Sequence, residues 1–204
     1  MKENYVVKQI EAKSIHWMLL NIHYAKRVPP ISFCYGLFLN NQLVGCVCYG
    51  KPVSSTLRNH LAGLDEAPNV YELNRLVLIN NLKNEASMLV ARSLKLLPKN
   101  LFIVSFADKE QDHKGIVYQA ANFKYFGLSA KRTDWALHSR PELHGQTISD
   151  MARGQKSRVN WLKDKFGDDF YLKPRSRKHR YVYVTGKNKE LYAKIKYSEE
   201  EYPK

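Results

Sequence analysis

The chain has 204 residues, a 44% hydrophobic share and a formal net charge of +14. That length fits one domain, or one core with an added lobe, and no run of about 18 apolar residues exists to cross a membrane. The polar start, MKENYVVKQIEAKS, lacks the apolar core of a signal peptide, so a cytoplasmic protein is expected.

The segment YVVKQI (Tyr5 to Ile10) reads as a strand. From Ala12 to Arg27 the pattern turns helical, with Ile15, Leu19 and Ile22 on one face and Pro29-Pro30 as the stop. His23 and Tyr24 close that helix. The run CYGLFLNNQLVGCVCYG is two strands around an Asn40-Asn41 turn. Its Cys46 and Cys48, with Cys34, are odd in number and form no CxxC pair, so they read as reduced core thiols. A loop spans residues 51–68. VYELNRLVL is a strand, and EASMLVARSLKLLP is an amphipathic helix closed by Pro98. LFIVSFA is a buried strand, KGIVYQAAN a helix and KYFGLSAKR a strand. A basic segment then intervenes, helical near Ser157 to Phe166, before a last strand at Arg180 to Thr185.

Charge concentrates late in the chain. Between Arg153 and Lys196 stand fourteen Lys or Arg against four acids. The block KPRSRKHR, Lys173 to Arg180, holds five basic residues and no acid. Such a block points to nucleic acid or another polyanion. It runs directly into the alternating RYVYV, which argues against a disordered arm.

The order of elements predicts a mixed α/β fold. The strands at Val70 and Leu101 should lie side by side and parallel, joined by the helix from Glu85. Polar residues at their ends then gather where ligands enter open α/β sheets. Asp108 ends the second strand, either as a helix cap or as a carboxylate that positions or deprotonates an amine. Asn84 and Ser87, at a helix start with free backbone N–H groups, are donor-binding candidates. Glu72 and Arg75 share the first strand, where Arg75 is placed to pair with Glu72 or with a donor phosphate. Lys131, Arg132, Arg175, Arg177, Lys178 and Arg180 are the DNA-binding candidates. Tyr24 is a candidate to stack on a base taken out of the duplex.

This order resembles the GNAT acetyltransferase fold, a mixed central sheet flanked by helices, here with a basic insertion before the last strand. The expected division is a core over 1–135, a DNA-binding insertion over 136–179, and a final strand with tail over 180–204. YQAANF resembles the GNAT motif that ends in Gly-Phe, with Asn122 in place of the glycine. The resemblance implies Tyr118 as the acid for the leaving group and Glu72 as a general base. NNLKNEAS, in the place of the coenzyme A phosphate loop, contains no glycine.

The blocks YELNRLVL, NEASMLVARSLKLLP, IVSFADKEQDHKGIVYQAANFKYFGLSAKRTDW and PRSRKHRYV look like the Mom family of phage DNA-modification proteins. That resemblance implies conversion of adenine N6 in duplex DNA to a carbamoylmethyl (acetamido) form, which shields phage DNA from host restriction. If the gene is a phage's, the protein works in the host cytoplasm. The resemblance also implies a functional pair at His23-Tyr24. The donor is either an activated glycyl ester such as glycyl-tRNA or a coenzyme A thioester. A metal route through His23, Asp108 and His113 is a lesser rival, since no HExxH or facial-triad spacing is present; His113 is otherwise a donor-side candidate. Two alternatives in function are a non-catalytic DNA- or RNA-binding module and an N-acyltransferase with another acceptor. Monomer and homodimer are both compatible with the sequence.

Overall fold

The structure is a computed structural model that describes residues 4–109, 112–143 and 145–204. Strand β1 (Tyr5–Gln9) leads through a 3-10 turn (Ala12–Ile15) into helix α1 (His16–Asn21). Strands β2 (Phe33–Leu39) and β3 (Gln42–Gly50) form a hairpin. Asn40 and Asn41 make its turn at φ 48° and 65°, a left-handed conformation that asparagine tolerates. Helix α2 (Ser55–Ala62) precedes β4 (Val70–Leu78), and α3 (Glu85–Leu96) carries the chain to β5 (Phe102–Asp108). Helix α4 (Ile116–Ala120) leads to β6 (Lys124–Leu128). Strands β7 (Arg132–Leu137) and β8 (Phe170–Arg175) pair as a separate small sheet, with α5 (Gly145–Met151) and α6 (Arg158–Phe166) between them in sequence. Strand β9 (Lys178–Val184) returns to the main sheet, and α7 (Lys189–Ala193) follows.

The main sheet is mixed, in the order β1-β2-β3-β4-β5-β9-β6. Its β4–β5 pair is parallel and short: Val70 faces Phe102, Tyr71 faces Ile103 and Glu72 faces Val104. Beyond Glu72 the two strands part. Strand β4 stays on β3 and β5 stays on β9, so the sheet opens like a wedge. A second irregularity lies on β4. Cys48 pairs with Arg75 and Tyr49 with Leu73, which leaves Asn74 as the extra residue of a β-bulge.

Three apolar clusters cover the main sheet. Helices α3 and α4 pack one face, on Leu37, Val47, Tyr49, Leu73, Ile103 and Tyr181. On the other face, α1 covers Cys34, Cys46, Cys48 and Val77, and α2 covers Val70, Phe102, Val104 and Val182. The three cysteines are free and buried, as their apolar run suggests. The small sheet has a cluster of its own in Leu137, Ile148, Ala152, Leu162 and Phe170. Among the described residues, no helix is long and apolar enough to cross a membrane.

Several elements differ from the sequence-based expectation. The loop expected over residues 51–68 contains α2, which Ser54 starts by accepting the Leu57 N–H at 3.2 Å and which Gly63 ends at φ 98°. The first helix stops near Asn21 rather than Arg27. Ile22 is 37% exposed, whereas Ile15 and Leu19 are fully buried, so only part of the apolar stripe finds the sheet. The last strand starts two residues earlier than expected, at Lys178, because Asp108 gives it a pairing partner there.

Candidate functional site

The wedge between β4 and β5 sets the site. Alternation along β4 would send Glu72 and Arg75 to opposite faces, since they are an odd number apart. The bulge at Asn74 corrects that. Glu72 pairs beside Val104 and Arg75 beside Cys48, and both neighbours belong to the α1–α2 face. Sheet pairing also puts Asp108 opposite Lys178, and Phe106 opposite Arg180.

A cleft of about 500 Å3 opens on this face. Its floor is Glu72, Phe106, Lys178 and Arg180, and one wall is the α2 segment from Pro52 to His60. The other wall comes from Ser129, Ala130, Arg132 and Arg175, where the chain leaves for the small sheet and returns. Of its floor and wall residues, one is an acid and four are Arg or Lys.

Burial pushes the Glu72 carboxyl above the ordinary glutamate value, and the charges of Arg75, Lys178 and Arg175 pull partly against that. Such a carboxylate is a stronger proton acceptor than an exposed one. Arg75 donates from Nη1 to the Asn74 carbonyl at 2.6 Å. Its buried Nε has no hydrogen-bond partner among the described residues, and Arg75 is not among the cleft-lining residues.

Asp108 forms an ion pair with Lys178 at 3.1 Å, both side chains about a quarter exposed. It is not the cap of α4. Gly115 holds that position at φ 74°, and the Asp108 backbone carbonyl accepts the His113 N–H at 3.1 Å. The Lys178 ammonium thus engages the Asp108 carboxylate beside the cleft floor. His113 itself is exposed and lies outside the cleft lining.

Tyr118 approaches from the other face of the sheet. It packs on Phe123 and Tyr181, and its hydroxyl is hydrogen-bonded to Ser105. Burial raises its pKa, and the Ser105 bond lowers it in part, so the phenol stays protonated at neutral pH. Tyr118 is not among the cleft-lining residues, though the Glu72 charge acts on its hydroxyl. Asp108 and Tyr118 stand on opposite faces of β5, so the sheet does not join them as a pair. Asn122 occupies the glycine position of the motif at φ 62°, which asparagine can adopt. Tyr118→Phe is expected to cost about 1 kcal/mol of stability through the lost Ser105 bond and at least about tenfold in turnover. Denaturant melts beside product analysis check both parts.

His23 and Tyr24 are not among the cleft-lining residues and lie within range of the Arg75 charge. Tyr24 is 82% exposed and stacks on His23 at 4.4 Å. His23 Nδ1 accepts the Ala25 N–H at 3.0 Å, so the ring proton sits on Nε2. Desolvation first, and then the Arg75 charge, lower the His23 pKa to about 4. His23 is therefore a neutral N–H donor at pH 7, not a base and not a charge on the end of α1. The unfolded chain takes up the proton near pH 6.5, before the folded one does. Stability is thus unaffected above about pH 6.5 and falls as pH drops from there to about 4. An NMR titration of His23 should show a midpoint near 4, moving part of the way up in Arg75→Met.

The donor-side candidates on α3 are arranged differently from the expectation. Asn84 caps the helix at φ 68° without a side-chain hydrogen bond to it, and the Ser87 hydroxyl donates to the Asn84 carbonyl at 3.2 Å. The helix start is instead filled by Glu85, which is 2% exposed. Its carboxylate accepts the Leu82 N–H at 2.7 Å and the Tyr5 hydroxyl at 2.8 Å. A coenzyme A diphosphate does not fit there, because a buried carboxylate already answers the positive end of the helix.

Among the cationic candidates, Lys131, Arg132 and Arg175 are exposed, and Arg175 lies 3.7 Å from Asp134. Arg177 and Arg180 are engaged within the fold. Arg177 donates to the Ser129 carbonyl at 2.6 Å and the Leu128 carbonyl at 3.3 Å. Arg180 is 8% exposed, donates to the Phe126 carbonyl at 3.1 Å and stacks over Tyr197 at 3.7 Å. Their exposed neighbours are the better phosphate ligands. No group of three or more potential metal ligands occurs among the described residues. Sequence reasoning missed Ser105, Glu85 and the α2 wall. Only the Ser54-Ser55-Thr56 run, a helix-start signal, pointed to any of them.

A seven-stranded mixed sheet that opens over a carboxylate-centred cleft places the chain in the GNAT-like class of folds. A model of the Mom protein family matches residues 4–204, and the chain belongs to that family. It is 27% identical over 161 residues to the Methylcarbamoylase mom of Escherichia phage Mu, an alignment covering 74% of this chain and 66% of that protein. Among solved structures it is similar to a putative acetyltransferase from Salmonella typhimurium with its cofactor acetyl-CoA, at TM-score 0.49 and 9% identity, over 91% of this chain and 96% of that one. It is also similar to a probable acetyltransferase from Staphylococcus epidermidis, at TM-score 0.48 and 9% identity, over 89% and 99%.

Proposed function

We propose that the protein is a transferase that modifies adenine N6 in duplex DNA, with the N6-carbamoylmethyl base as product. The observation that carries this reading is Glu72, a partly buried carboxylate whose pKa desolvation raises, at the floor of a cleft rimmed by cationic side chains. The rim suits a DNA backbone, and the floor suits proton removal from an amine whose lone pair is delocalised into the ring. The name of the phage Mu relative, Methylcarbamoylase, agrees with such a product. A purely binding module would use the cations but has no need of a partly desolvated Glu72 among them.

The donor is an activated glycyl ester, of the kind carried by glycyl-tRNA. Adenine N6 attacks the glycyl carbonyl carbon, its proton passes to Glu72, and the ester C–O bond breaks. Tyr118 gives its proton to the departing oxygen. The transferred glycyl amine then attacks C6 through a five-membered ring and expels the amide nitrogen. This yields the carbamoylmethyl isomer with no atom gained or lost. Glu85 at the start of α3 supports a donor without a diphosphate at that place.

The test offers duplex DNA and protein radiolabelled glycyl-tRNA or radiolabelled acyl-coenzyme A. Label entering RNase-resistant DNA from glycyl-tRNA supports the assignment. Transfer from coenzyme A alone overturns the donor, and transfer from neither overturns the reading.

A further inference from the structure

The approach to the cleft carries a feature that the chemistry above does not use. Val53 is 87% exposed and lines the cleft mouth opposite Arg132 and Arg175. A lone exposed valine on a surface is ordinary. This one is held out by its neighbours. Pro52, before it, is buried in the cleft wall. Lys51 reaches back to the Pro68 carbonyl and lies over the Tyr71 ring at 3.5 Å. Ser54, after it, is fixed as the start of α2 through its bond to the Leu57 N–H at 3.2 Å. The chain bends at Val53 between these two anchors, so an apolar side chain projects from a braced loop.

Glu72 lies on the sheet between the α2 wall and the wall from Ser129 to Arg132. A paired adenine cannot reach Glu72 while stacked, so the base must leave the helix. The vacated position then needs an apolar filler, or the neighbouring bases collapse into it and reseal the stack. From this placement we infer that Val53 is a wedge, inserting into the duplex where the target adenine has left and holding the base in the cleft. The cations of Arg132 and Arg175 on the opposite rim hold the backbone of the same strand. This inference rests on the reading of the cleft as an adenine site.

The test needs no donor. A short duplex carries 2-aminopurine at an adenine that the full-length protein modifies. Val53→Ser removes the apolar wedge, and Val53→Leu keeps it. With the parent protein, fluorescence should rise several-fold on binding, as the base leaves the stack. Val53→Ser should bind within about twofold of the parent, because phosphate contacts dominate affinity, yet show less than about a third of the rise. Val53→Leu should keep it. Placing the 2-aminopurine opposite a mismatch should restore the rise in Val53→Ser, since an unpaired base costs less to extrude. Melting temperatures should match, as the side chain packs on nothing it would destabilise. A parental rise in Val53→Ser on the paired duplex overturns the wedge and leaves the adenine site standing. No rise with the parent itself overturns base extrusion and the wedge together.

Discussion

Glu72→Gln should lose at least about a hundredfold in modification rate, the low end for removing a general base, and bind duplex DNA at least as tightly as the parent. The substitution keeps size and hydrogen-bonding capacity and removes one negative charge from a cationic cleft. Burial already disfavours the Glu72 carboxylate, so the amide should not lower the melting temperature. A structural ion pair would behave in the opposite way. Arg75 would then lose its partner, stability would drop, and the folded fraction would keep its rate. Asp108→Asn supplies the comparison. It breaks the ion pair with Lys178, a partly exposed contact of the kind worth about 1 kcal/mol or less, and should leave more activity than Glu72→Gln does. Single-turnover rates with thermal melts on both variants separate the roles.

The second large effect concerns the exposed cations on the lobe side of the cleft. Lys131→Ala/Arg132→Ala/Arg175→Ala should reduce the slope of log affinity against log salt by about three, close to one per phosphate contact. Affinity at physiological salt should fall more than about tenfold, while the melting temperature holds. Arg177→Ala should do the reverse. Its guanidinium bonds the Ser129 and Leu128 carbonyls, so its loss should lower stability and leave the salt slope nearly unchanged. Binding isotherms at several salt concentrations, read beside melts, distinguish the two.

The contrast between these arginines shows what the sequence carried and what it did not. The periodic elements were legible. Val70–Leu78 and Glu85–Leu96 fall where alternation and helical spacing put them, and the Asn40-Asn41 turn announced its hairpin. Helix α2 was not legible, because only its Leu61 and Ala62 are buried, too few to make a stripe. The basic block was visible as charge. Which of its arginines face solvent depends on β6 carbonyls distant in sequence, and composition holds no record of that. Glu72 and Arg75 carry the same lesson in backbone form. Their odd spacing on a strand argues for opposite faces, and only the bulge at Asn74 brings them together. Asp108 ends β5 and Tyr118 lies on the next helix, α4. Alternation along β5 separates them, since Ser105, the hydrogen-bond partner of Tyr118, and Asp108 point to opposite faces.

The central claim is that this fold modifies adenine in DNA through Glu72. Mass spectrometry of nucleosides digested from the DNA of bacteria that express the protein tests it most directly. The parent should yield a deoxyadenosine heavier by one glycyl unit, which should nearly disappear with Glu72→Gln expressed at the same level. Unmodified deoxyadenosine from cells full of folded parent protein, or undiminished product with Glu72→Gln, would contradict it.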